Sequence, residues 1–370
     1  MSRKKHLCPF CFSEFDKMPY LCCNARCKSK NEKHLLYPKA RLFSTQNYVK
    51  CPECGYLSYK SVCPNCFHEY DNTEPKFIVP ILGNRASGKS TYYGVLIHEM
   101  IKRIAPSYKG SFEGIGDSYQ RYIRDYLYYL YNGFPVCATY PINYRKGYNT
   151  MVFNYKWSYR NRAYFKRPFV IHDGLSLENT LVTWDELKDI EYFYNRLFSN
   201  ASGILLIIDP LSFMKALDKV ELKTGLDRSI VGNCDDILSV FTEGIRKAIN
   251  SERYKKIEIP IAVVLSKYDI FDSLVPEDYI VKLPSPHCKL SGFDDNDRRT
   301  VNDEIASLLD SWGARSFTSQ LENNYKTYSY FAVSALGLDN NPSSRRFDIP
   351  HPHRIEDPIL WLMKENGIIK

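Results

Sequence analysis

The sequence contains no long hydrophobic run. No stretch of its 370 residues approaches the roughly 18 consecutive apolar residues that a membrane-spanning helix requires, so we expect no membrane span. The first residues are basic, but no apolar segment follows them, which argues against a signal peptide. We therefore expect a cytoplasmic protein, whose cysteine thiols stay reduced and are available to metal ions.

The composition is that of an ordinary globular protein, with 44% hydrophobic and 25% charged residues, and the length allows two domains. The formal net charge is +8, of which residues 1–76 contribute +6 through thirteen Lys/Arg and seven Asp/Glu. Two zinc ions on eight cysteine thiolates would reduce this local charge to about +2. The charge alone therefore permits a nucleic-acid partner but does not favour one.

Nine of the twelve cysteines lie before residue 67, and six of them form three C-P-x-C pairs. The two-residue gap lets both sulfurs of a pair reach one zinc ion, and four sulfurs would close the coordination shell, which indicates a structural role. The pairing we prefer gives two sites, Cys8, Cys11, Cys23 and Cys27 for one and Cys51, Cys54, Cys63 and Cys66 for the other. Three alternatives stay open: Cys22 in place of Cys23, His34 as a ligand, and sites that each take one pair from each half of the segment.

A phosphate-binding loop follows the cysteines. Residues 83–90 read G-x-x-x-x-G-K-S, between the apolar run 77–82, predicted as a buried strand, and residues 87–103, predicted as a helix. The two glycines let successive backbone N–H groups wrap a phosphate chain, and the positive end of the helix faces the same anion. The predicted nucleotide-binding residues are Gly83, Asn84, Arg85, Ala86, Ser87, Gly88, Lys89, Ser90 and Thr91. Lys89 would also act in catalysis by reaching the outer phosphates, and Ser90 would bind Mg²⁺.

Strands and helices alternate after this loop. Two paired strands are predicted between residues 151 and 173, and buried strands at 203–209, 259–265 and 328–334. This order predicts an α/β fold of the P-loop NTPase type, with a Ras-like, doubly wound, mostly parallel sheet that has one antiparallel edge strand. We expect a zinc-ribbon module at residues 1–74 and a P-loop GTPase domain at 75–370.

Two short motifs indicate guanine as the base. Ser266-Lys267-Tyr268-Asp269 follows an apolar strand and resembles the [NT]-K-x-D motif of GTPases, with serine in place of Asn or Thr. The carboxylate of Asp269 can accept both N1–H and the 2-amino group of guanine, a donor pair that adenine lacks, while the Lys267 stem would lie along the ring. Ser334-Ala335-Leu336 follows the last strand and matches the S-A-x element, whose backbone N–H faces the guanine carbonyl.

The residues expected to serve hydrolysis are less complete. Asp173 ends a strand and would hold a water molecule bound to Mg²⁺, and Thr139 is our candidate for the threonine that closes on Mg²⁺ and the γ-phosphate. Neither Asp173 nor Asp209, which ends the next strand, is followed by the glutamate usual in ATPases. The glycine of the Ras-like D-x-x-G motif is missing after Asp173, and no glutamine that would position water is evident. Hydrolysis is therefore predicted to be slow.

The chain resembles the prokaryotic TRAFAC-clade "double-GTPase" proteins over essentially its whole length. The resemblance is carried by the C-P-x-C pairs, by the loop with residues 95–99 after it, and by residues 356–362 near the end. It implies a zinc-ribbon front end on a GTPase domain and partners in multi-protein conflict or antiviral defence systems. The Asp…Gly-Glu switch usual in that family is absent here.

The leading hypothesis is a GTP-binding switch that uses Mg²⁺, hydrolyses GTP slowly and needs a protein partner for its full rate. A non-hydrolysing, nucleotide-gated scaffold is the second hypothesis, because of the missing switch glycine. The third is a nucleic-acid-binding protein led by the zinc ribbons. The expected cofactors are GTP or GDP, Mg²⁺ and two structural Zn²⁺ ions.

Overall fold

The computed structural model of the chain describes residues 5–27, 34–38, 48–70, 76–84, 86–136, 150–159, 163–175, 184–213, 218, 234–289, 292–337 and 349–370. These residues form a small cysteine-rich module and a seven-stranded sheet covered by helices. Among them, no helix has the length and apolar character needed to cross a lipid bilayer.

Three short hairpins build the cysteine-rich module. Its strands, numbered in chain order, are β1 (His6–Leu7), β2 (Glu14–Phe15), β3 (Tyr20–Leu21), β4 (Leu35–Leu36), β5 (Val49–Lys50) and β6 (Leu57–Ser58). The antiparallel pairs are β1 with β2, β3 with β4, and β5 with β6. Leu21 N donates to Lys60 O and Val62 N donates to Pro19 O, both at 2.9 Å. Residues 19–21 and 60–62 therefore lie side by side although they are far apart in sequence.

The strand that leads into the predicted phosphate loop lies in the middle of the large sheet. The strands of this sheet are β7 (Phe77–Gly83), β8 (Gly110–Gly114), β9 (Val152–Tyr159), β10 (Ala163–Leu175), β11 (Ile204–Ile208), β12 (Ile261–Leu265) and β13 (Tyr328–Ala332). Their spatial order is β13–β12–β11–β7–β10–β9–β8. The first five of that order are parallel, β9 is antiparallel to β10, and β8 is antiparallel to β9. The predicted α/β class with a mostly parallel sheet is confirmed.

The predicted place of the antiparallel strand, at the edge of the sheet, is wrong. β9 lies one position inside the edge, because β8 pairs with it from Gly110 opposite Trp157 to Gly114 opposite Phe153. β8 is five residues long and has glycine at both ends, so its single buried apolar side chain, Phe112, gives no alternating pattern that sequence reasoning could detect.

Helices cover both faces of the sheet. The described ones of four residues or more are Lys89–Glu99, which continues through Met100–Ile104 and Ala105–Ser107, Ser118–Tyr122, which continues through Ile123–Leu127 and Tyr128–Leu130, Trp184–Ser199, Cys234–Ile249, Tyr268–Phe271, Asp295–Ser311, Arg315–Asn324 and Asp357–Glu365. The apolar spacing in the sequence also predicts a helix at 211–222, most of which lies outside the described residues. The helix Arg315–Asn324 has no counterpart among the predictions.

Side chains that alternate in direction along the buried strands divide the apolar core into two layers, one on each face of the sheet. In β11, Leu205 and Ile207 point to one face and Ile204, Leu206 and Ile208 to the other, as the two-residue period of a strand requires. The helices that begin at Lys89 and Asp357 cover the first face. On the second face, the helices Cys234–Ile249, Asp295–Ser311 and Arg315–Asn324 cover only the half that includes β11, β12 and β13.

The cysteine-rich module packs on the other half of the second face, beside the helix Trp184–Ser199. Phe10 and Phe12 are fully buried in one cluster with Ile78 of β7 and Val170 of β10. The Phe12 ring meets Phe193 of the helix Trp184–Ser199 edge-on, with ring centroids 5.2 Å apart. Leu197 of the same helix also lies in this cluster, so the module and the helix cover this part of the sheet together.

Candidate nucleotide and metal sites

The loop between β7 and the helix Lys89–Glu99 has the backbone geometry of a tight phosphate cradle. Gly83 has φ of 149°, and a Cβ atom there would lie 2.1 Å from the carbonyl oxygen of Ile207 in the neighbouring strand. No side chain fits at that distance, so glycine is required. Gly88 has φ of 87° and forms the left-handed N-cap of the helix. The first turn of this helix therefore points its free N–H groups into the loop.

Lys89 extends back over the loop. Its side chain is buried, and its ammonium group donates to the carbonyl oxygens of Gly83, at 3.0 Å, and Asn84. The Ser87 hydroxyl also donates to Asn84 O, at 2.8 Å. A positive charge thus lies inside the curve of the loop, where an anion would be bound. Ser90 and Thr91 follow in the first turn of the helix, and Arg85 lies outside the described residues.

Ser266 joins the base-reading motif to the phosphate loop. It follows β12, is almost fully buried, and its hydroxyl lies 2.7 Å from Ser87 O and 3.1 Å from Ile208 O. Asparagine or threonine is usual at this position of the motif, and the serine hydroxyl supplies the donor that reaches the loop. The two sequence motifs therefore meet at the carboxyl ends of the parallel strands, where loops of such a sheet form binding sites.

Asp269 is held by the second base-reading element. The Ser334 hydroxyl donates to Asp269 Oδ1 at 2.5 Å and accepts from Gly337 N at 2.9 Å. Burial raises the pKa of Asp269, while the hydrogen bond from Ser334 and the nearby Lys267 act in the opposite direction. Ala335 and Leu336 follow Ser334 and are half-buried. The predicted base-reading residues are thus brought together.

Asp209, for which the sequence pattern predicts no role, also belongs to this site. Its Oδ2 lies 2.6 Å from Lys267 Nζ, and its Oδ1 accepts from Leu211 N at 3.0 Å, which caps the short helix Pro210–Ser212. Lys267 itself has a left-handed backbone, with φ of 56°. Asp209 therefore fixes the direction of the lysine side chain that is predicted to lie along the base.

The residues predicted to serve hydrolysis are placed only in part. Asp173 lies in β10 opposite Ile81 of β7, near the ends of the strands where the phosphate loop begins. This register places the backbone of Asp173 near the carboxyl end of β7, where the phosphate loop begins. Thr139, the candidate switch threonine, lies outside the described residues.

The cysteines form two groups of four, and the grouping corrects the pairing that we preferred from the sequence. One group is Cys8, Cys11, Cys63 and Cys66, and the other is Cys22, Cys27, Cys51 and Cys54. Each takes one C-P-x-C pair from one half of the segment and completes it from the other, the third alternative above. The reason is the contact between residues 19–21 and 60–62, which brings Cys63 and Cys66 back beside Cys8 and Cys11. The cysteines between these two segments then form the second group.

Both groups have the dimensions of a zinc site. Four sulfurs at about 2.3 Å from a zinc ion in a tetrahedron would be about 3.8 Å from one another. The measured separations are 3.6 Å for Cys8–Cys66, 3.6 Å for Cys11–Cys63, 3.7 Å for Cys22–Cys54 and 3.9 Å for Cys27–Cys51. The donor chemistry and spacing therefore suit Zn²⁺ in both.

Cys22, not Cys23, belongs to the second group. Cys23 is exposed, and its sulfur lies 3.5 Å from Leu21 O. His34 Nδ1 lies 3.7 Å from Cys27 Sγ and 3.8 Å from Cys51 Sγ, so it borders the group without replacing any of its four sulfurs.

Outside the cysteine-rich module, the ligand-type residues His287, Asp297 and Asp357 form a buried ionic network. Arg354 Nε donates to Asp357 Oδ2 at 2.7 Å, and Arg354 Nη2 pairs with Asp297. Asp294 N donates to His287 Nδ1 at 3.1 Å, so a neutral His287 has its proton on Nε2, the nitrogen that faces the two carboxylates. A metal ion would need the lone pair of that nitrogen, so this arrangement does not suit one.

Comparison with known proteins places few constraints on the chain. No family model matches it, and no curated protein matches it. Solved structures that align with it include nucleolar GTP-binding protein 1 from Plasmodium falciparum, with 13% identity, 81% of this chain and 92% of that chain covered, and a TM-score of 0.31.

The signal recognition particle receptor complex SRβ-GTP/SRX from Chaetomium thermophilum aligns with 9% identity, 73% and 94% coverage, and a TM-score of 0.31. A bacterial selenocysteine-specific elongation factor aligns with 12% identity, 80% and 30% coverage, and a TM-score of 0.27. At these scores the alignments do not indicate what this chain binds.

Proposed function

We propose that the chain is a Ras-like P-loop protein that binds a guanine nucleotide with Mg²⁺, acts as a nucleotide-dependent switch and hydrolyses GTP slowly. The observation that supports this most directly is the Ser266 hydroxyl, which lies 2.7 Å from the phosphate-loop carbonyl of Ser87. This hydrogen bond joins the first residue of the base-reading motif directly to the phosphate loop. Asp269, held by Ser334, would accept the two guanine donors, and Lys267, held by Asp209, would lie along the ring.

The base assignment is tested by Asp269→Asn. The carboxylate would accept two hydrogen bonds from guanine, each worth about 1.5–3 kcal/mol as a bond to a charged group. We expect the native chain to prefer GTP over xanthosine triphosphate and ATP, and the variant to lose about 100-fold or more in GTP affinity while gaining affinity for xanthosine triphosphate. Asp278→Asn, an exposed aspartate in the same region, is the control. Unchanged discrimination in Asp269→Asn would show that the base is read elsewhere.

For hydrolysis, we propose distinct tasks for four residues. Lys89 would neutralise charge on the outer phosphates, and the Ser90 hydroxyl, together with Thr139, would hold the magnesium ion. Asp173 would hold one of the waters of that ion. Phosphoryl transfer depends mainly on such positioning and charge neutralisation, so without a glutamine or a partner we expect turnover on the order of 10⁻³ s⁻¹.

A non-hydrolysing scaffold is the alternative that one sequence observation favours. The residues Asp173-Gly174-Leu175-Ser176 lack the D-x-x-G glycine that follows the γ-phosphate in Ras-like switches. Phosphate release at a saturating GTP concentration separates the two functions. Sustained multiple turnover that Lys89→Ala abolishes supports a GTPase, and tight GTP binding without turnover, with or without partners, supports the scaffold.

We propose further that each cysteine group holds one structural Zn²⁺, and that the chain belongs with the cytoplasmic double-GTPase proteins of prokaryotic conflict and antiviral defence systems. The sulfur spacings support the zinc ions. The C-P-x-C pairs, the phosphate loop and the segment at 356–362 support the family. Copurification of the native protein would identify the protein partners that this placement implies, together with the bound nucleotide and metals.

A further inference from the structure

The nested arrangement of the cysteine groups separates the charges of the module into two unequal parts. By sequence, residues 21–60, which include the second group, contain eight Lys/Arg and two Asp/Glu. The flanking residues 1–20 and 61–76, which carry the first group, contain five of each. Zinc on four thiolates adds a charge of −2 to each part, which leaves the second part at about +4 and the first at about −2. The basic excess of the module therefore belongs to the second part.

The aromatic residues divide in the same way. In the first part, Phe10, Phe12 and Tyr70 are buried in the cluster shared with the large sheet. In the second part, Tyr59 is 62% and Tyr37 is 51% exposed. The first cysteine group therefore packs against the large sheet, while the part of the module with the second group exposes large aromatic side chains to solvent.

The hairpin of β5 and β6 collects part of this surface on one side. Lys50 is paired with Leu57 across the hairpin, and the Tyr48 and Tyr59 rings lie 5.5 Å apart, so the alternation of strand residues places all four on one face. The opposite face is given by Val49, which packs on the second cysteine group, and Ser58, which is buried. We call the outer set, Tyr48, Lys50, Leu57 and Tyr59, the ribbon face.

We propose that the ribbon face binds single-stranded nucleic acid, a function beyond nucleotide binding at the phosphate loop. The two neighbouring tyrosine rings offer stacking surfaces for unpaired bases. Every base has a flat aromatic face, so such stacking does not depend on the base sequence. Lys50 is exposed and makes no ion pair within the described residues, so its ammonium group is available to a phosphate. The charge of about +4 on this part of the module favours a polyanion over a protein surface of mixed charge, and duplex bases are not open to stacking.

The test uses the full chain, loaded with zinc, and a fluorescein-labelled oligouridylate or oligothymidylate in an anisotropy titration. We expect Tyr59→Ala to weaken binding about tenfold, as for the loss of one stacked base, and Tyr59→Phe to retain it. We expect Lys50→Gln to reduce the slope of log affinity against log salt by about 0.7, the value for one phosphate contact on a single strand. Tyr254→Ala, which removes a tyrosine that is 80% exposed outside the module, is the matched control and should change nothing.

Four outcomes would overturn the proposal. These are no salt-dependent binding at low ionic strength, equal loss in Tyr254→Ala and Tyr59→Ala, equal affinity for a duplex of the same length, and a ribbon face that instead mediates association of two copies of the chain. Zinc content and thermal stability, measured on each variant, would distinguish a lost contact from misfolding. GDP affinity of Tyr59→Ala should match the native value. A chain that binds the oligonucleotide through Tyr59 but binds no guanine nucleotide would refute the proposed function alone.

Discussion

Replacing Phe12 by alanine tests whether the cysteine-rich module is part of the core of the large sheet. The Phe12 ring is fully buried and meets Phe193 edge-on at 5.2 Å, and Phe12 O accepts from Arg196 Nη1 at 3.1 Å. Truncating a buried phenylalanine costs about 3–5 kcal/mol of unfolding free energy. An unfolding entropy of about 2.1 cal/mol/K per residue gives about 0.8 kcal/mol/K for the whole chain, so the melting temperature should fall by about 4–6 °C.

The assay is calorimetric unfolding of the zinc-loaded chain, together with zinc release to a chromogenic chelator. Phe12→Ala should lower the melting temperature and accelerate zinc release from the first cysteine group. Tyr37→Ala, at an exposed position near the second group, should change the unfolding free energy by less than about 0.5 kcal/mol. A melting temperature of Phe12→Ala equal to that of the native chain would mean that the module does not contribute to the core of the sheet.

Two further predictions concern the nucleotide and zinc sites. Asp209→Asn keeps the cap on the helix that follows but removes the charge beside Lys267. A partly exposed ion pair is worth about 1 kcal/mol. GDP affinity, measured in a fluorescent-nucleotide titration, should therefore fall about fivefold to tenfold. Glu191→Gln, at an exposed ion pair, is its control, and an equal affinity change in both would refute a specific role. Cys22→Ser should lower the zinc content by about one ion per chain and Cys23→Ser should not, whereas the reverse result would restore the pairing preferred from the sequence.

The sequence predicts the central strands well because they are buried on both faces. The residues of β7, β11 and β12 are continuous apolar runs. The polar residues that follow β11 and β12, Asp209 and Ser266, contact Lys267 and the phosphate loop. The positions of the motifs directly after these strands then place the phosphate loop and the base-reading residues together at the carboxyl ends of the strands. These features depend on local pattern and on strand order, and both can be read from the chain.

The features that sequence reasoning missed depend on contacts between distant residues. The grouping of cysteines follows from the hydrogen bond between Leu21 and Lys60, and spacing alone fits several groupings equally well. The role of Asp209 depends on a lysine in the loop after the next strand. β8 is formed by Gly110–Gly114, whose edge pairing with β9 supplies the stability that its composition does not.

The adjacency of Leu21 and Lys60 has a consequence for how the module can change. Because residues 21 and 60 are neighbours, a short turn could join them without disturbing the first cysteine group or its packing on the sheet. Residues 22–59 could therefore be exchanged for another segment, which would give the proposed nucleotide switch a different exposed surface.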